Sequence, residues 1–172
     1  ASHTGSLAGS YAAYQAGFRQ SDVLEAATTT DLIHCAMALD WLNKPAGNKV
    51  VIVTNSGGPA ALASDSLAAN GIQLARLNEN TMAKLKEKLN PAAQTANPVD
   101  MLGGANEDEY EHALTLTLKD DQVDMALAIL VPQALVNPLE VAKAIVRASQ
   151  ASDKPVIACL MGHESTQDAQ RY

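Results

Sequence analysis

Aromatic residues are nearly missing from this chain of 172: one Trp, four Tyr and one Phe, 3% in all. A core must therefore be built from Ala, Leu, Val, Ile and Met, a common filling between helices and a parallel sheet. The shortage argues against a flavin or nucleic-acid site that stacks rings on aromatic side chains, and so against a free-standing flavin carrier. Basic charge is short too. Lys and Arg total 12 against 19 Asp and Glu, a formal net charge of −7. With no basic run, nothing points to DNA or RNA. No apolar run approaches the roughly 18–20 residues that span a bilayer, and no signal peptide is recognisable. Cysteine is limited to Cys35 and Cys159, in "LIHCAMAL" and "PVIACLMG". Both read as buried thiols of a reducing cytoplasm rather than as a disulfide framework. No Cys, His and Asp group has zinc spacing, so no metal site is expected.

What is present is mostly apolar: 47% of the residues, enough for a core within one domain, or one domain plus part of another. The opening "ASHTGSLAGS" reads as a loop rich in hydroxyls and glycine. "SYAAYQAGFRQ" reads as a helix capped by Ser10, and "DVLEA" is short enough to be a strand. "TTTDLIHCAMALDWLNK" is an amphipathic helix with a threonine cap. Its Leu32, Ile33, Ala36, Leu39 and Leu42 fall at helical spacing. "PAGN" stops it.

From Asn48 the chain alternates. "KVVIVT" is a continuous apolar run, as a strand buried on both faces should be. A glycine turn follows, then Pro59 near a helix start and an alanine-rich helix closed by Gly71. "IQLARL" reads as a second strand and "NENTMAKLKEKLN" as a helix. "PAAQTANPVDMLGG" reads as a long loop. "NEDEYEHALTLTLKD" is a helix with four acidic side chains expected in its first turn, at the positive end of its dipole. "VDMALAILVP" is a third strand, "NPLEVAKAIVRASQAS" a helix and "KPVIACLMG" a fourth strand. "HESTQDAQRY" suggests about two helical turns. The order implies α/β architecture with a flavodoxin-like, doubly wound parallel sheet. Ligands of such sheets bind beyond the carboxyl ends of the strands. That rule selects "TNSGGPA", "NPVDMLGG", "VPQALVNP" and "MGHES".

The sharpest local feature is "TNSGGPAAL". Gly57 and Gly58 permit a tight turn, and Pro59 opens a helix whose first N–H groups lack partners. Such an end attracts anions. An ordinary βα turn also favours glycine. The stretch is neither a P-loop, since no lysine follows, nor G-x-G-x-x-G. His3, in "SHTGSLAG", has a ring nitrogen able to accept a phosphoryl group when the other nitrogen is held. On the residues alone, a terminal histidine without a role is the better reading. Asp100 in "NPVDMLGG" fits an Asx turn or the orienting of a loop. His34 and His112 read as ordinary helix residues, and His163 lies on the selected edge.

Taken in order, "SHTGSLAGS", "VTNSGGPAALASDSLAANGIQL", "NPVDMLGG", "DDQVDMALAILVPQA" and "KPVIACLMG" resemble the NDP-forming acyl-CoA synthetases. These are the ADP-forming acetate–CoA ligases, relatives of succinyl-CoA synthetase. The resemblance implies a larger enzyme that interconverts acyl-CoA, ADP and phosphate with acid, CoA and ATP through a phosphohistidine. It makes His3 the phosphorylated residue and Ser56, Gly57 and Gly58 the phosphate-binding turn. Gly5, Asn55, Asp100, Gly103 and Gly104 become loop support. It assigns residues 1–46 to the end of a first flavodoxin-like ligase domain and 48–172 to a second, shortened at its C-terminus. The CoA-binding domain and the ATP-grasp domain or subunit would be partners, with assembly of several chains. CoA, ADP or ATP and Mg2+ would belong to the parent enzyme, and this piece alone would bind no cofactor and be inactive. The expected location is the cytoplasm, away from membrane and nucleic acid. The alternative is a ligase-like regulatory module fused to a protein acetyltransferase.

Overall fold

The computed structural model describes residues 10–172. His3 and Gly5 lie outside the described residues. The chain divides into two compact units, Ala1–Leu42 and Asn43–Tyr172.

In the first unit, α1 (Tyr11–Gln20) and α2 (Thr29–Trp41) are both α-helices. Thr28 caps α2 by accepting from the Asp31 N–H at 3.0 Å. Ser10 stands at the cap position of α1, but its side chain makes no capping bond. Neither helix contains a buried residue, so the apolar stripe of α2 faces out; Leu39 is 79% exposed. "DVLEA" forms no strand. The Val23 N–H bonds back to the Phe18 carbonyl at 2.9 Å and Asp22 takes φ 52, so α1's final turn absorbs the start of that segment.

The second unit is a parallel sheet with helices on both faces, as expected. Its elements are β1 (Lys49–Thr54), α3 (Gly57–Ala69), β2 (Gln73–Leu74), α4 (Glu79–Lys88), β3 (Val99–Asp100), α5 (Glu107–Leu118), β4 (Met125–Leu130), α6 (Pro138–Gln150), β5 (Val156–Leu160) and α7 (Gln167–Arg171). The order is β2-β1-β4-β5, and β3 joins the same edge of β1 as β2. β2 pairs with Lys49–Val50 and β3 with Val53–Thr54. The side chain of Asn97 fills the gap between them. Its Oδ1 accepts from the Ile52 N–H, and its Nδ2 donates to the carbonyls of Val50 and Ala75, at 2.8–3.0 Å.

Alternation along β1 and β4 divides the core. Val51, Val53, Ala126, Ala128 and Leu130 pack under α4, α5 and α6. Ile52 and Ile129 pack with Ala60 under α3. Helix ends follow the sequence. Gly71 closes α3 with φ 73, Asn106 and Glu109 form a capping box on α5, and Asn137 caps α6.

Several expectations need correction. The strand expected over "IQLARL" has only two residues in the ladder, and the long loop hides β3. The first turn of α5 carries three acidic residues rather than four. Glu111 instead pairs with Arg147 of α6. The final helix is a single turn. The cysteines are not buried. Cys35 is half-buried on a helix without a core, and Cys159 is exposed on β5, whose middle residues are uncovered.

Candidate functional site

The carboxyl ends of β1, β3 and β4 lie side by side because all three strands run parallel. Register sets what meets there. Thr54 pairs with Asp100, and the Met101 N–H donates to the Thr54 carbonyl at 2.8 Å, so the "NPVDMLGG" loop is laid beside the β1 turn. Asp100 Oδ1 accepts from the Leu102 N–H at 3.0 Å, the Asx geometry expected of it. Leu102 holds a left-handed φ of 70. Asp100 Oδ2 comes so close to Gly57 that a Cβ there would sit 2.9 Å from it. Any larger residue at position 57 would have to displace the Asp100 carboxylate.

The turn itself is fixed residue by residue. The hydroxyl oxygen of Thr54 accepts from the Ser56 N–H at 3.0 Å. Asn55 is 2% exposed. Its Nδ2 donates to the Val131 carbonyl at 2.8 Å and its Oδ1 accepts from the Val131 N–H at 2.9 Å, adding a side-chain rung where the β1–β4 ladder stops. α3 then begins with Gly57 and Gly58, both exposed. Their N–H groups occupy the first helical positions and have no intrahelical acceptor. Ser56 makes no side-chain cap, so its hydroxyl is left to point elsewhere. Space around Gly58 is open, with nothing within 4 Å of where a Cβ would stand. The result is two amides at the positive end of a thirteen-residue helix, beside a hydroxyl and facing solvent. Among the described residues, the charged side chain set against this turn at Gly57 is Asp100.

Of the residues expected here, Asn55, Ser56, Gly57, Gly58 and Asp100 are brought together. Gly103 is adjacent through the next loop, where a Cβ would meet Gln133 at 3.6 Å. Gly104 is exposed with open space around it. His163 is exposed in the loop after β5, and His112 stands 3.4 Å from the Lys84 carbonyl on α5. His34 is in the other unit. Among the described residues, no three His, Cys, Asp or Glu side chains gather in a way that could hold a metal ion.

Sequence reasoning missed Tyr110. It is fully buried near the start of α5, and its hydroxyl donates to the Ile129 carbonyl at 2.8 Å. Burial pushes its phenol far above the ordinary value. The nearby backbone of Asn55 opposes that shift, and the charge of Asp100 adds to it. The available signal was scarcity, since Tyr110 is the only aromatic residue from 43 to 171.

The Ligase-CoA domain family model matches residues 50–172. Acetate–CoA ligase [ADP-forming] I of Archaeoglobus fulgidus is 42% identical over 170 residues, covering 99% of this chain and 24% of that protein. The alpha subunit of acetate–CoA ligase [ADP-forming] II from Pyrococcus furiosus is 42% identical over 94% of this chain and 36% of its own. A solved acetyl-coenzyme A synthetase 1 of Ca. Korarchaeum cryptofilum, in complex with phosphate and ADP, superposes with a TM-score of 0.90 at 35% identity. That match covers 98% of this chain and 37% of the other. The chain thus spans about a quarter to a little over a third of these relatives.

Proposed function

Because the chain belongs to the Ligase-CoA domain family, we propose that it is the phosphoryl-holding part of an ADP-forming acyl-CoA synthetase. The observation that carries this is the Ser56–Gly57–Gly58 turn: unpartnered helical amides at the carboxyl edge of a parallel sheet, in a chain similar to ADP-forming acetate–CoA ligases. Backbone donors suit a phosphoryl group because they neutralise charge without competing as nucleophiles.

The chemistry runs in three displacements. A phosphate oxygen attacks the thioester carbonyl carbon, and the CoA thiolate leaves. The neutral imidazole of His3 attacks phosphorus, and the carboxylate of the acid leaves. A terminal oxygen of ADP then attacks the phosphohistidine, giving ATP and restoring the imidazole. The turn holds the phosphoryl oxygens, and His3 carries the phosphorus. Asp100 repels a fully ionised anion at Gly57. It therefore favours a phosphoryl group that turns a hydrogen toward it, either a phosphate hydroxyl or an imidazole N–H. Mg2+ is assigned, with the nucleotide, to the ATP-grasp domain or subunit. The CoA-binding domain is the other partner, and the enzyme works in the cytoplasm as an assembly of several chains.

The test uses the full-length parent with its ATP-grasp part and ATP labelled on the γ-phosphate. Acid-labile, base-stable label is expected on the native enzyme and none on His3→Ala. Gly58→Val keeps the amide but puts a branched side chain into the open space where the phosphoryl group would sit, so it should fold normally yet lose most of the label through obstruction. Normal labelling of Gly58→Val would remove the turn from the mechanism. The isolated 172 residues should form no acyl-CoA from ATP.

A further inference from the structure

The geometry points to Tyr110 and Asn55 as positioning residues that act through the backbone on the Ser56–Gly58 turn. This rests on the reading that the turn holds the phosphoryl group.

β1 and β4 are paired from Val50–Met125 to Thr54–Ile129. Past that point they part, one into α3 and the other into the loop ahead of α6. Holding the strands together is already the work of the ladder and the apolar side chains beneath it. Polar groups buried at the parting point therefore add something else. Asn55 bonds both backbone groups of Val131. Tyr110 reaches up from α5 and donates to the Ile129 carbonyl, the β4 residue paired with Thr54. Thr54 pins the Ser56 N–H. Residues 54, 55 and 56 are tied to Met101, Val131 and Thr54 in turn, and the next residue, Gly57, is the first with an amide to offer a ligand. Two successive glycines would otherwise be the loosest backbone in the unit. Burial keeps the phenol neutral, so it remains a hydrogen-bond donor across the working pH range. Neither side chain opens onto the turn's solvent side, since Tyr110 and Asn55 are 0% and 2% exposed. Their influence on a ligand must pass through the amides they place, and a displacement of a fraction of an ångström is enough to weaken an oriented contact.

The experiment measures the full-length enzyme in the ATP-forming direction, with phosphate and ADP varied separately. Tyr110→Phe keeps the ring and removes the hydroxyl. Asn55→Asp keeps the acceptor for the Val131 N–H and removes the donor. Each should raise KM for phosphate about tenfold and leave KM for ADP within about twofold, the pattern of a displaced phosphate contact. If Tyr110→Phe does not fold, Asn55→Asp alone decides. A lowered Tm with KM for phosphate unchanged would overturn the positioning role and leave only packing. Gly58→Val in parallel separates the two readings. If it raises KM for phosphate while the other two variants do not, the positioning idea fails alone. If it too has no effect, the phosphoryl-binding turn fails first.

Discussion

On one face of the sheet, α4, α5 and α6 cover a cluster of twenty-one buried residues; on the other, the described residues under α3 give a cluster of three. Both faces belong to the same strands, and β1 contributes Val51 and Val53 to one and Ile52 to the other. The deep face has a continuous apolar layer running through α5 and α6. The shallow face is capped by α3, whose sequence is alanine-rich and whose only buried residue is Ala60. Small residues bring α3 close to the sheet but bury little area, so the helix adds little hydrophobic stabilisation. This helix nevertheless begins with the candidate site. The buried core and the candidate site thus lie on opposite faces, and the polar ties at Thr54, Asn55 and Tyr110 stand between them.

The largest effect should come from the deep face. Leu114 is fully buried in α5. Leu114→Ala should lower the unfolding free energy by about 2–5 kcal/mol, from lost transfer energy and the cavity left behind. Leu62, on α3, is 73% exposed. Leu62→Ala should stay within about 0.5 kcal/mol. Urea unfolding midpoints at constant slope would measure both. Equal losses would dissolve the contrast between the faces.

A smaller effect is expected at the sheet edge. Asn97→Ala strands the Ile52 N–H and the carbonyl of Ala75, and removes a second donor from Val50, whose carbonyl keeps the Ala75 N–H at 2.8 Å. A loss of about 2–3 kcal/mol follows from leaving partly buried backbone groups unpaired. The same substitution should loosen β3 and thereby shift Asp100 relative to Gly57. Weakened phosphate binding with the deep core still intact would show that the shallow face depends on this edge. A stability loss with phosphate binding unchanged would show that β3 is held by its own ladder.

These residues also mark how far the sequence could be read. β1 and β4 were legible because a strand buried on both faces is written as a continuous apolar run. The β-α order placed α3, α5 and α6, with Pro59 and Gly71 marking the ends of α3. β3 was not legible, since two residues beside β1 leave no period to detect, and only Val99 of the pair is apolar. The role of Asn97 was hidden for a related reason: its partners lie 22, 45 and 47 residues away. In the site, the glycines of the turn could be read from local chemistry, and Asp100 could be suspected from its loop. The pairing of Thr54 with Asp100 that brings the two together is a property of register, and Tyr110 enters through tertiary packing alone. The apolar stripe of α2 taught the opposite lesson. Its period correctly gave a helix, but Leu32, Ile33 and Leu39 are exposed, because periodicity identifies a face without supplying what covers it.

The smallest effect lies on the outer surface of the deep face. Arg147 of α6 donates through Nε and Nη2 to Glu111 Oε2 of α5, at 2.9 and 2.6 Å. These hydrogen bonds hold the Glu111 carboxyl below its ordinary value, with partial burial working against them and the charges of Arg147 and Lys88 assisting. A carboxyl with a depressed folded value stabilises the protein above the unfolded value, and that contribution disappears as pH falls through the folded one. Arg147→Gln should therefore reduce stability slightly at neutral pH and converge with the parent chain in acid. Both partners are largely solvated, so salt should shrink the neutral-pH difference. Unfolding midpoints taken at pH 7 and at acid pH, each at low and high salt, would check this. A difference that persists unchanged into acid would mean that Arg147 matters through the packing of its alkyl stem against α5. In that case the deep face would reach further toward its surface than the buried residues alone indicate.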